Sequence, residues 1–195
     1  MLAQKVAGRL ASGICGLDRF FKEVLGDWVQ EVLYAIHSVM NIFYLDSVPT
    51  ECAKMHVDKH CVKMILESAQ LLSTAHRLLD GDNDVLYKTT HANHPSAVWV
   101  RESDENYLWL FELFTALMVE YTHRYGKHHA CERMIGVLSR APLAIPKGSL
   151  TEPPCCMPDE CKCDSTIESY RNYYMMHKSH IFAWKNRTQP SWAIR

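Results

Sequence analysis

Six polar side chains, His56, His60, Lys63, Glu67, Gln70 and Thr74, are spaced 4, 3, 4, 3 and 4 residues apart. On a helix that advances about 100° per residue they fall on one narrow stripe. Lysine beside a carboxylate in a partly dry groove is a means of nucleophilic amine chemistry, because burial and neighbours lower the amine pKa. A carboxylate in that place also stabilises positive charge developing on a sugar. Lys63, Glu67 and His60 are therefore the candidate catalytic residues, with His60 expected to orient the other two. A solvated helix face would give the same polar stripe, and His56 with His60, at i and i+4, would also suit a metal ion.

Three further patterns carry chemistry. His91-Ala92-Asn93-His94-Pro95 opens a helix, with Asn93 the expected cap and His94 the alternative. The free N–H groups of such a helix start suit a phosphate. Between residues 121 and 147, Arg124, Lys127, Arg133, Arg140 and Lys147 are opposed only by Glu132. From residue 168 onward, Arg171, Lys178, Lys185, Arg187 and Arg195 are opposed only by Glu168. Tyrosines and tryptophans are interleaved with both groups, which suits phosphate contacts and base stacking or, equally, an ordinary surface over an aromatic core. The expected DNA-contacting set is Asn93, His94, Arg101, Arg124, Lys127, Arg171 and Lys178. Finally, Cys155, Cys156, Cys161 and Cys163 crowd together. No cofactor is expected, and a structural zinc on these four thiols is the alternative.

The elements that must position these residues are helices. The sequence has 195 residues, 48% of them hydrophobic and 22% charged, with a net charge of −1. That composition suits a folded core and excludes a uniformly basic nucleic-acid binder. No apolar run is long enough for a transmembrane helix. Residues 1–39 read as an N-terminal amphipathic helical extension, whose face over residues 17–36 would serve self-association or a host protein. Residues 40–195 read as one compact helical core domain, so the class is mainly α. Residues 41–46 suggest a strand. Helices are expected at 50–79, 95–125, 129–140 and 165–186, and the proline-rich 141–165 as an extended loop. Scattered cysteines without a secretion signal point to free thiols in a cytoplasm.

Met40 through Asp46, Asp58-Lys59-His60 with Lys63-Met64, Glu67 and Gln70, and Asn93-His94-Pro95 with Trp99 and Asn106-Tyr107 resemble a family of small uncharacterised phage proteins. Glu120-Tyr121 with Arg124-Tyr125-Gly126-Lys127, Cys156-Met157-Pro158-Asp159, Tyr170-Arg171 and Pro190-Ser191-Trp192 fit the same pattern. More distantly, the order of elements is similar to the pyrimidine-dimer DNA glycosylases of the endonuclease V type. That resemblance implies a compact helical fold acting on damaged DNA, in which the amine of a processed N-terminus attacks the sugar C1′ and a glutamate on the first helix assists. In this chain it implies a DNA-binding protein of phage type, a glycosylase or abasic lyase acting on damaged or modified pyrimidines in the (host) cytoplasm, with Lys63 as the substitute amine. A non-enzymatic module binding a host protein and a metal-dependent enzyme using His or Cys ligands are the alternatives.

Overall fold

The computed structural model describes residues 40–194, and every described regular element is helical. The chain divides into two units, Met1–Val39 and Met40–Arg195. The amphipathic helix expected over residues 17–36 lies outside the described residues. No described helix is long and apolar enough to cross a membrane.

Residues 41–45 are buried and extended but form no strand. An apolar run reads as a strand from sequence, but here it has no ladder partner. Its polar groups are satisfied by side chains instead. The Asn41 N–H donates to Glu67, the Cys52 thiol donates to the Phe43 carbonyl at 3.2 Å, and Arg171 donates to the Leu45 carbonyl at 3.0 and 3.2 Å. This segment threads through the core like a helix-bundle strut.

The helix expected over 50–79 is two helices. The first, α1 (Pro49–Met55), starts as expected, with Val48 extended and Pro49 in its first turn. The second, α2 (Asp58–Leu79), begins after His56 and Val57 turn extended. The break is filled by a side chain from far along the sequence. Arg124 donates to the carbonyls of Lys54 and His56 and to the Asp58 carboxylate, at 2.8 to 3.0 Å. At its other end α2 closes through Asp80 and Gly81, the latter at φ +96°.

The helix expected over 95–125 is also split. Helix α3 (Pro95–Glu102) ends at Ser103, whose hydroxyl accepts from the Asn106 N–H at 3.1 Å and so starts α4 (Asp104–Tyr125). The loop that follows later in the chain is fastened to this break: Asp104 accepts from Lys147 and from the Gly148 N–H, and the Asp104 N–H donates to the Pro146 carbonyl. Gly126, at φ +64°, closes α4. A 3-10 turn, Ala130–Met134, leads into the single-turn α5 (Ile135–Leu138) where 129–140 was expected. The last helix, α6 (Thr166–Tyr173), is shorter than expected and continues as a π turn, Tyr174–Lys178, and a 3-10 turn, Ser179–Ile181.

Helix α4 is the central element, packed against α1, α2 and α3. Its buried end carries the Glu120–Arg124 pair, joined from the C-terminal tail by Arg187 at 2.8 to 3.1 Å. Burial pushes the Glu120 carboxyl up, but the hydrogen bonds from Arg187 and Arg124 more than reverse this and hold it below the usual glutamate range. Glu120→Ala would leave the Arg124 guanidinium buried with its nearest counter-charge removed. We expect a loss of about 3–5 kcal/mol of stability, measured by denaturant unfolding.

A candidate active site on the second helix

Glu67 is the centre of the stripe on α2, and it is not on a solvated face. Its side chain is only 6% exposed. One carboxylate oxygen lies 3.0 Å from Lys63 Nζ, and the other accepts the Asn41 main-chain N–H at 3.2 Å. Lys63 itself reaches outward from the helix, so the pair joins an exposed amine to a buried carboxylate. Burial pushes the Glu67 carboxyl up, while Lys63, the Asn41 N–H and the nearby His91 each pull it back, and the net direction is upward. A carboxylate with this balance takes up and returns a proton more readily near neutral pH than an exposed glutamate does.

Asn41 is held from every side. Its amide nitrogen donates to the Cys156 carbonyl at 2.9 Å, and its amide oxygen accepts from the Tyr170 hydroxyl at 2.9 Å and from the Ile42 N–H at 2.8 Å. Tyr170 also reaches the Pro154 carbonyl at 2.7 Å. The loop 153–158 and helix α6 therefore fix the nitrogen that rests on Glu67. Sequence reasoning missed Asn41, Tyr170 and the Cys156 peptide as members of this centre. The signal available for Asn41 and Tyr170 was their presence in the family resemblance.

His56, His60 and Thr74 on the same stripe have structural duties. The expectation that His60 orients Lys63 and Glu67 is corrected by its contacts: His60 Nδ1 is 2.7 Å from the Tyr174 hydroxyl and its ring stacks on Phe43 at 4.4 Å. Burial, then the charges of His56, Lys178 and Lys63, push His60 down to about 3, so it is neutral at physiological pH. His56 sits in the helix break and donates from Nδ1 to the Cys52 carbonyl at 2.8 Å, and burial pushes it down to about 4. Thr74 is buried and clasps Thr90.

The expected DNA-contacting residues divide similarly. Arg124 does not hold phosphate: it is 1% exposed and spends its guanidinium on Glu120, Asp58 and two carbonyls. His94, not Asn93, caps α3, its Nδ1 accepting the Ser96 N–H at 3.2 Å, so that N–H is already occupied. Asn93 is exposed beside it. Arg101 donates to the Ala92 and Ala97 carbonyls and pins the preceding connector. Arg171 is divided between the Leu45 carbonyl and Glu168. Lys127 is exposed, and Lys178 lies 4.9 Å above the Tyr173 ring, close enough for its charge to act on His60. Of the aromatics interleaved with the basic groups, Tyr170, Tyr173 and Tyr174 are buried, while Tyr121, Tyr125, Trp184 and Trp192 are half-buried.

The four clustered cysteines face different partners. The Cys155 thiol points to Thr166, that of Cys156 to Ser96, that of Cys161 to Met176, and that of Cys163 to Ser165 and Ser169. Among the described residues, no three His, Cys, Asp or Glu side chains are grouped to hold a metal ion. Two surface hollows, of about 390 and 420 Å³, border the C-terminal tail around Phe182 and around Arg187, and neither is lined by Lys63 or Glu67.

Residues 40–133 match the family model of pyrimidine dimer DNA glycosylases. The matched span begins at Met40, immediately before the nitrogen that rests on Glu67, and it contains the whole Lys63–Glu67 pair. The similarity supports a DNA glycosylase-like function in general, with DNA as the partner. No curated protein and no solved structure matches the chain.

Glu67 should be a stability liability. With its pKa raised by folding, its contribution to stability falls as pH rises above the ordinary glutamate value of 4.5. Glu67→Gln is expected to keep or raise the melting temperature at pH 7, with its advantage over the parent shrinking toward pH 4. Thermal unfolding across that range checks the sign.

Proposed function

We propose that residues 40–194 form a DNA glycosylase with abasic-lyase activity on damaged or modified pyrimidines, using Lys63 as nucleophile and Glu67 as its acid–base partner. The single observation that carries this reading is the buried Glu67 carboxylate shared between the Lys63 ammonium and the Asn41 N–H. Lys63 passes a proton to Glu67, and its freed amine adds to C1′ as the C1′–N bond to the base breaks. Glu67 returns the proton to the departing base; the cationic adduct nitrogen then gives one of its protons, through Glu67, to the ring oxygen O4′ as the C1′–O4′ bond breaks, which leaves a protonated imine between Lys63 and C1′. The base must leave the stack for this to happen, since duplex stacking hides the glycosidic bond. Lys178, whose charge acts on His60, and the exposed Lys127 and Asn93 are the remaining candidates for phosphate contacts. The free thiols among the described residues fit work in a cytoplasm, that of the host cell if a phage encodes the protein.

A second reading is favoured by the Asn41 contact. In this chain that nitrogen belongs to a peptide bond and has no lone pair to attack with. Severed between Met40 and Asn41, it would be an α-amine already seated on Glu67, as in the N-terminal-amine mechanism of the characterised glycosylases.

Borohydride trapping on a duplex containing an abasic site separates these readings. The full chain should form a covalent adduct, and both Lys63→Ala and Glu67→Gln should abolish it. An undiminished adduct in Lys63→Ala would overturn the lysine assignment. No adduct from the parent chain, with no salt-sensitive preference for the abasic duplex, would overturn the enzyme reading altogether.

A further inference from the structure

Lys63 is not the only cation on the outer face of α2. Lys59, one turn earlier, is exposed on the same face, with its Cβ about 5–6 Å from that of Lys63. A third cation joins them at the start of α2 from the C-terminal tail. Lys185 lies on a stretch of tail that is fastened on both sides. The Asp58 N–H donates to the Ala183 carbonyl at 2.8 Å, and the Asp58 carboxylate accepts the Lys185 N–H at 3.0 and 3.1 Å. The Asn186 carbonyl lies 3.0 Å from His123 Nε2 on α4. Lys185 Nζ stands 5.4 Å over the Tyr125 ring, and the Tyr125 hydroxyl donates to the Asp58 carbonyl at 3.4 Å. The attraction between an ammonium and a tyrosine face thus holds the Lys185 charge beside the first turn of α2. The acids at this end are already paired: Asp58 with Arg124, and Glu120 with Arg124 and Arg187. Among the described residues, neither Lys59 nor Lys185 is paired with a carboxylate.

We infer that Lys59 and Lys185 bind backbone phosphates, and that the reacting DNA strand runs along the outer face of α2 toward its first turn. The inference rests on the lysine–glutamate reading above. For Lys63 to attack C1′ of a nucleotide, that nucleotide must lie against the outer face of α2. A strand carries one phosphate per nucleotide, about 3.4 Å of rise apart, so a flanking phosphate falls within about one turn of Lys63 along the helix. On the side of the first turn that place is held by Lys59. On the other side the outer face offers Leu66 and Gln70, which carry no charge. Lys185 extends the cationic side past the start of the helix, where the strand's next phosphates pass. Its backbone clamps and the Tyr125 ring fix it there before DNA arrives, which lowers the ordering cost of the contact. Lys185 escapes a reading of the sequence because it is 127 residues from Asp58, whose contacts bring it to α2.

The test measures binding of the full chain to a labelled duplex carrying a tetrahydrofuran abasic analogue, which cannot form the imine, across a salt series. The parent is compared with Lys59→Ala, Lys185→Ala and, as a control, Arg140→Ala, an exposed cation at the other end of α2. Each lysine variant should bind about fivefold more weakly near 100 mM salt and should lower the slope of log K against log salt by about 0.9, the loss of one phosphate contact. Arg140→Ala should keep the parent's slope. The rate of borohydride-trapped adduct on saturating abasic duplex should match the parent in all three, because neither lysine takes part in the chemistry. A slope unchanged in either lysine variant, or lowered as much in Arg140→Ala, would overturn the inference and leave the Lys63–Glu67 reading standing. So would binding by the parent that salt does not weaken. A parent chain that neither binds the analogue nor traps abasic DNA would instead overturn the underlying reading, and this inference with it.

Discussion

Arg124 has no solvent to fall back on. Its side chain is fully buried, so each of its N–H groups must find an acceptor inside the protein. It finds them in Glu120 one turn back on α4, in the carbonyls freed where α1 ends, and in Asp58 at the start of α2. The break between α1 and α2 and the position of the guanidinium therefore require one another. A continuous helix would have no free carbonyls for Arg124, and without Arg124 the interrupted carbonyls would be buried unpaired. Asp58 extends the arrangement to the tail by accepting the Lys185 N–H and by its own N–H donating to the Ala183 carbonyl.

That break sets up the site. It turns α1 out of line with α2, so that the extended segment 41–45 passes close to both, held by Cys52 of α1 at Phe43 and by Glu67 of α2 at Asn41. The stacked Phe43 and His60 rings and the His60–Tyr174 hydrogen bond close the segment in from α2 and from the π turn after α6. A π turn is a costly local geometry that recurs near functional sites, and here it carries both Tyr174 and Lys178. The protein thus spends much of its polar architecture on holding one main-chain nitrogen against one carboxylate, and the neighbouring lysine shares that carboxylate.

The residues that were legible in the sequence are those governed by local rules. Pro49, Pro95, Gly81 and Gly126 mark helix ends because their conformational limits act within a turn or two. The Lys63–Glu67 pair was legible because helical spacing alone brings i and i+4 together. The Ser103 break was locally signalled too, by a serine followed by two acidic residues, but the apolar pattern ran through it. The break at His56 carried no such signal: its cause lies 68 residues away in Arg124. The basic residues misled for the same reason. A buried arginine and an exposed one look alike until the carbonyls around them are known, and only the fold shows that Arg124, Arg101 and Arg171 brace the backbone.

The account centres on one carboxylate serving one amine. Peptide mapping of the borohydride-reduced DNA adduct by mass spectrometry tests this most directly, because it names the nitrogen that reacted. The account predicts a single modified peptide from the full chain, with the reduced sugar remnant on Lys63. A remnant on a lysine that does not touch Glu67, or one spread over several surface lysines, would contradict it.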